Sequence, residues 1–141
     1  ELDYPAKDWE DAIRCAGKLL YDTKTVTEQY VEEMVNSVKK HGPYIVVCKG
    51  MALPHADCSK GAIEEAASLV RLKTPIEFGS VYNDPVRYVI GMSIKSAESI
   101  NQAIYDMMKI FGDENNMNKF DSLPDEQAVL DMINSFQKQK I

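Results

Sequence analysis

His55 has more chemistry to offer than any other residue of this sequence. It stands in Lys49-Gly50-Met51-Ala52-Leu53-Pro54-His55-Ala56-Asp57, directly after Leu53-Pro54 and before a small alanine. Proline fixes its own φ and restrains the residue before it, so the approach to His55 is stiff. A stiff backbone with small neighbours leaves an imidazole open to a large partner. Histidine is a nucleophile when neutral, and an ordinary imidazole is largely neutral near pH 7. On the residues alone, the plainer reading is a loop histidine without a role, and it stands beside the nucleophile.

Ser96 to Ser99 is the second candidate. The segment follows an apolar strand run and should open a helix, whose free N–H groups and positive end suit a phosphoryl group. Ser99 would lie in the first turn, beside His55, with a hydroxyl to donate. Simple helix capping by Ser96 and Ser99 is the plainer reading. His41 precedes Gly42-Pro43 at an expected helix end, where the helix dipole favours a cation, and reads first as a capping residue. Lys39, Lys40 and Lys49 could attract phosphate, although lysines are mostly just solvated. Glu64 and Glu65 make no acid–base pair, because adjacent residues need not face one way. Two histidines and three scattered cysteines (Cys15, Cys48, Cys58) offer no zinc set and no disulfide framework. None of the nucleotide-loop, dinucleotide, nucleophile-elbow or zinc-protease motifs occurs.

The elements that would position these groups can be read from apolar spacing. Asp8 caps a helix to about Leu20, with Trp9, Ile13, Ala16 and Leu20 inward. Thr27 caps a second, with Tyr30, Val31, Met34, Val35 and Val38 inward, and Gly42-Pro43 ends it. Tyr44 to Val47 reads as a short buried strand, and Lys49 to Asp57 as a bend, a short extended piece and a loop. Ala66 to Leu72 is a strand. A separate short extended piece lies between Thr74-Pro75 and Phe78-Gly79. Asn83-Asp84-Pro85 is a turn. Val86 to Ile94 is the strongest strand and apolar enough to be central. Ser96 caps a helix with Ile100, Ala103, Ile104, Met107, Met108 and Phe111 in the core, and Gly112 ends it. Asp113 opens a short helix to Phe120. Ser122 and Asp125 flank Pro124 before a last amphipathic helix carrying Val129, Leu130, Ile133 and Phe136 inward. Strands and helices intermix, which predicts a sheet with helices on both faces.

The 141 residues suit one domain, 1–141, with a core of its own. A net charge of −6 argues against a phosphate-backbone ligand such as nucleic acid, and suits a partner with a basic face. The odd cysteine count points to the reducing cytoplasm. No apolar run is long enough to insert in a membrane, and no signal peptide is read. A start at Glu1 is compatible with a domain cut from a longer chain.

Gly42-Pro43-Tyr44-Ile45-Val46-Val47, followed by Gly50-Met51-Ala52-Leu53-Pro54-His55-Ala56, resembles the enzyme IIA domains of the bacterial sugar phosphotransferase system. Within the mannitol/fructose superfamily the chain looks most like the ascorbate type. Asp8-Trp9 with Ala12-Ile13, Thr27 to Met34, Asn83-Asp84-Pro85-Val86 and the helix near Ser96 agree. The resemblance implies a three-layer α/β/α sandwich with a mixed sheet. It implies that HPr phosphorylates His55 on Nε2 and that an enzyme IIB takes the phosphoryl group, with a membrane enzyme IIC involved only indirectly. It implies no organic cofactor, and it leaves the sugar open. The chain departs from the family pattern at Lys49-Gly50, at Asp57, and at Ser99, where members usually carry a second histidine. Similar domains also end transcription antiterminators and activators, where phosphorylation of the histidine sets activity. A regulatory module is therefore the second reading, and a domain that binds partners without chemistry the third.

Overall fold

The computed structural model describes residues 1–138, so residues 139–141 of the expected 1–141 unit lie outside the described residues. The first two helices start where their caps predict. The Asp8 carboxylate accepts the Asp11 N–H at 2.8 Å and opens α1, Trp9–Asp22. The Thr27 hydroxyl accepts the Tyr30 N–H and opens α2, Glu28–His41, which Gly42 ends at φ +83°. Each lays an apolar stripe inward, Ala12, Ile13, Ala16 and Leu20 from α1 and Tyr30, Met34, Val35 and Val38 from α2.

Four strands follow among the described residues: β1 (Val46–Cys48), β2 (Met51–Ala52), β3 (Ala66–Ile76) and β4 (Val86–Ser93). Their order is β1-β2-β4-β3. β2 is antiparallel to β1 and parallel to β4, while β3 is antiparallel to β4, so the sheet is mixed. β4 is central, buried along most of its length, as its unbroken apolar run demands. Its side chains alternate between two cores: Val89 joins α1 and α2, whereas Tyr88, Ile90 and Met92 face the other side. Gly91 permits the approach of α1, because a Cβ there would lie 3.0 Å from the Ala16 Cβ. On the second face pack α3 (Ala97–Phe111), α4 (Glu114–Ser122) and α5 (Glu126–Lys138), around stacked Phe111 and Phe120. The result is the expected α/β sandwich, helices on both faces of a mixed sheet.

Some details differ from the sequence expectation. Tyr44 stands outside β1, because Tyr44 N–H bonds to the Gly42 carbonyl and Val46 N–H to the Pro43 carbonyl, turning the chain until residue 46. β3 runs on to Ile76 without a separate piece after Thr74. The N-terminal segment lies along its edge, with Lys73 N–H donating to the Tyr4 carbonyl, and an irregularity between Arg71 and Ile76 absorbs the mismatch in register. Met108 and Leu130, both expected in the core, are 42% and 53% exposed. No helix among the described residues is long and apolar enough to cross a membrane.

Candidate phosphoryl-transfer site

β2 is only two residues long, and it delivers the chain to the loop that holds His55. Leu53 N–H donates to the Ile45 carbonyl, and Met92 N–H donates to the Pro54 carbonyl at 3.0 Å. The loop is thus tied on one side to the start of β1 and on the other to the end of β4. A third tie comes from α2: the Tyr30 hydroxyl donates to the Met92 carbonyl at 2.6 Å and accepts the Ala56 N–H at 3.2 Å. Tyr30 is fully buried, and burial pushes its phenol above the ordinary tyrosine range, so it stays a neutral hydrogen-bonding strut. Pro54 and Ala56 are buried while His55 between them is half-buried.

The imidazole is oriented as well as anchored. Its Nδ1 lies 2.8 Å from the carbonyl oxygen of Leu53. A carbonyl can only accept, so Nδ1 carries the proton and Nε2 holds the lone pair. The ring of Tyr44 stands perpendicular to that of His55, with centroids 5.9 Å apart. His41, in the last turn of α2, stands on another side of Tyr44 at 6.3 Å, also near perpendicular. The structure therefore brings both histidines to one tyrosine. Beside them, a cleft of about 260 Å³ is lined by Ser37, Lys40, His41, Ala56, Asp57 and Lys60, among others.

The other sequence candidates have partners of their own. Ser96 caps α3 by accepting the Ser99 N–H, and its hydroxyl donates to the Ser99 hydroxyl. Ser99 in turn donates to a Glu65 carboxylate oxygen at 2.9 Å. Glu65 leads into β3, which β4 separates from β2 in the sheet order, and the Ser99 hydroxyl is engaged there. Lys39 Nζ lies 3.0 Å from Glu10 of α1. Asp57 spends its carboxylate on the N–H and hydroxyl of Ser59, which hold it below the usual carboxylate range.

A half-buried imidazole with a fixed tautomer, in a loop pinned by the sheet and by a helix, presents one oriented ring nitrogen with a lone pair. The sequence profile of the family described as "Phosphoenolpyruvate-dependent sugar phosphotransferase system, EIIA 2" matches residues 1–136. The chain belongs to that family. This EIIA chain is a phosphocarrier component of a sugar phosphotransferase system. It is 34% identical over 133 residues to the ascorbate-specific EIIA component of Shigella boydii serotype 4 (strain Sb227), covering 94% of this chain and 86% of that protein. PtxA from Streptococcus mutans superimposes with a TM-score of 0.89 at 25% identity, over 98% of this chain and 88% of PtxA. The mannitol enzyme IIA of Escherichia coli, solved in complex with phosphorylated enzyme IIB, shares the fold, with a TM-score of 0.83 at 23% identity over 94% and 92% of the two chains.

Sequence reasoning about this EIIA chain missed Tyr44 and Tyr30 as parts of the site. Tyr44 was read as a strand residue and Tyr30 as one more member of an apolar stripe. A signal was present in the second case, because a buried tyrosine needs a hydrogen-bond partner for its hydroxyl.

Proposed function

We propose that His55 accepts a phosphoryl group on Nε2 from HPr and passes it to an enzyme IIB, on the cytoplasmic side of a sugar permease. The observation that carries the reading is the Nδ1–H bond to the Leu53 carbonyl, which leaves Nε2 as the ring nitrogen with a lone pair. In transfer that lone pair attacks phosphorus, the bond from phosphorus to the donor nitrogen breaks, and the proton stays on Nδ1, donated to the Leu53 carbonyl. Because bonding at Nε2 makes the ring cationic, the same carbonyl stabilises the charge as it develops. Little else is required of the protein, since phosphoryl transfer depends mainly on positioning and electrostatics. Ser96, Ser99 and Lys39 already have protein partners, so the reading rests on His55.

The ascorbate-specific relatives support ascorbate as the sugar of the system. The regulatory reading is not favoured: relatives 33–34% identical over 94% of this chain are ascorbate-specific EIIA components. The test is incubation with phosphoenolpyruvate, enzyme I and HPr, followed by intact mass. Wild type should gain an acid-labile adduct of roughly 80 Da, one phosphoryl group on a histidine nucleophile. His55→Ala should lose it and His41→Ala should keep it. Labelling that survives in His55→Ala would refute the assignment.

A further inference from the structure

The bond between Nδ1 and the Leu53 carbonyl fixes the His55 tautomer, but one hydrogen bond leaves a ring free to rock about that bond. In-line attack needs the Nε2 lone pair aimed at phosphorus, so this residual freedom matters. The second contact of the ring is Tyr44, perpendicular at 90° with centroids 5.9 Å apart. Tyr44 is itself held. Its hydroxyl lies 2.6 Å from the Ser37 hydroxyl on α2, its N–H bonds to the Gly42 carbonyl, and His41 flanks its ring. Yet Tyr44 is 46% exposed, so burial of its own surface does not explain the arrangement.

We propose that Tyr44 is a positioning residue for His55, a fixed aromatic wall that Ser37 braces from α2 and that keeps Nε2 aimed at the incoming phosphorus. The inference rests on His55 being the phosphoryl acceptor. Ser37 acts one step back: without it the tyrosine ring remains, less firmly held.

The experiment compares a protein donor with a small one. Phosphoramidate phosphorylates histidine directly: the Nε2–P bond forms, the P–N bond of the reagent breaks, and ammonia leaves with the nitrogen's protons. No docking surface is involved. Tyr44→Ala should slow labelling by phosphoramidate roughly 2- to 10-fold, the range expected for losing one aromatic pair. It should lower kcat with HPr by a similar factor. Tyr44→Phe should retain most of the rate, because the wall remains, and Ser37→Ala, which removes the same hydroxyl brace, should match it. Nitrogen NMR of the imidazole in Tyr44→Ala should keep the Nδ1–H tautomer, which the Leu53 carbonyl fixes, while ring relaxation shows more rocking than in wild type. Tyr44→Ala that raises KM for HPr and leaves phosphoramidate labelling at the wild-type rate overturns the proposal and makes Tyr44 a docking residue. Equal rates in all variants also overturn it. A His55→Ala control that still labels refutes the acceptor assignment instead, so the two failures are distinguishable.

Discussion

At the scale of single residues, the loop of His55, the proposed acceptor, is held by a partner from far along the chain. Leu53-Pro54-His55 announces a stiff, accessible imidazole in one dimension, because proline acts on its immediate neighbours. The partner that pins the following alanine lies 26 positions away, at Tyr30, and no local spacing encodes that distance. Ser99 shows the converse. It sits in the first turn of α3 as the capping pattern requires, but its hydroxyl is taken by Glu65, a pairing that only the sheet order creates. Tyr30 supplies the test at this scale. Tyr30→Phe keeps the buried ring and strands the Ala56 N–H and the Met92 carbonyl lone pair that the hydroxyl served. Leaving such groups unpaired should cost about 1–3 kcal/mol. Urea unfolding should show it as a lower midpoint with unchanged slope. An unaltered midpoint would mean that water replaces the hydroxyl.

At the scale of elements, the helices were read well because their signals are local. Asp8, Thr27, Ser96 and Asp113 each cap the helix that follows them. The strands were read less well where pairing decides them, as at β1, which starts late, and β3, which continues because the N-terminal segment lies along its edge. The connection from β3 to β4 belongs to neither class. There Asp84 accepts the N–H groups of Phe78, Gly79 and Ser80 at 2.8–3.0 Å, and Asn83 donates to the Val46 carbonyl. One carboxylate thus shapes the whole turn and holds Val81 and Tyr82, both nearly fully exposed, at its tip. Asp84→Ala should cost roughly 1–2 kcal/mol, charged bonds discounted for a partly wet site. It should also broaden the amide signals of 78–80 in NMR. Sharp, unshifted signals there would show that the backbone holds the turn without the carboxylate.

At the scale of the molecule, the two cores carry ionisable groups that burial keeps neutral. Cys15 is pushed up to about 11 and Tyr4 to about 12, chiefly by burial, and Tyr88 upward by burial and by Asp121. The unfolded chain releases these protons at 9.0 for cysteine and 10.0 for tyrosine. Between the unfolded and folded values the unfolded state binds fewer protons, so rising pH favours unfolding. The contribution is complete below about pH 9 and is lost as pH climbs through about 11 to 12. A series of urea midpoints from about pH 8 to pH 11 should therefore decline. A midpoint that holds steady or rises across that range would show that other charges dominate.

The three ties on the His55 loop bear on timing as well as on aim. Ile45, Met92 and Tyr30 hold the segment from three separate elements, and none of these bonds obstructs Nε2. The loop backbone therefore has little ordering entropy to lose when its donor arrives. How long two carriers remain together, and how quickly they part, then falls to the surfaces around the ring. A carrier that takes a group from one protein and hands it to another gains from this division, because each encounter can be brief while the atom that receives the group stays where it is.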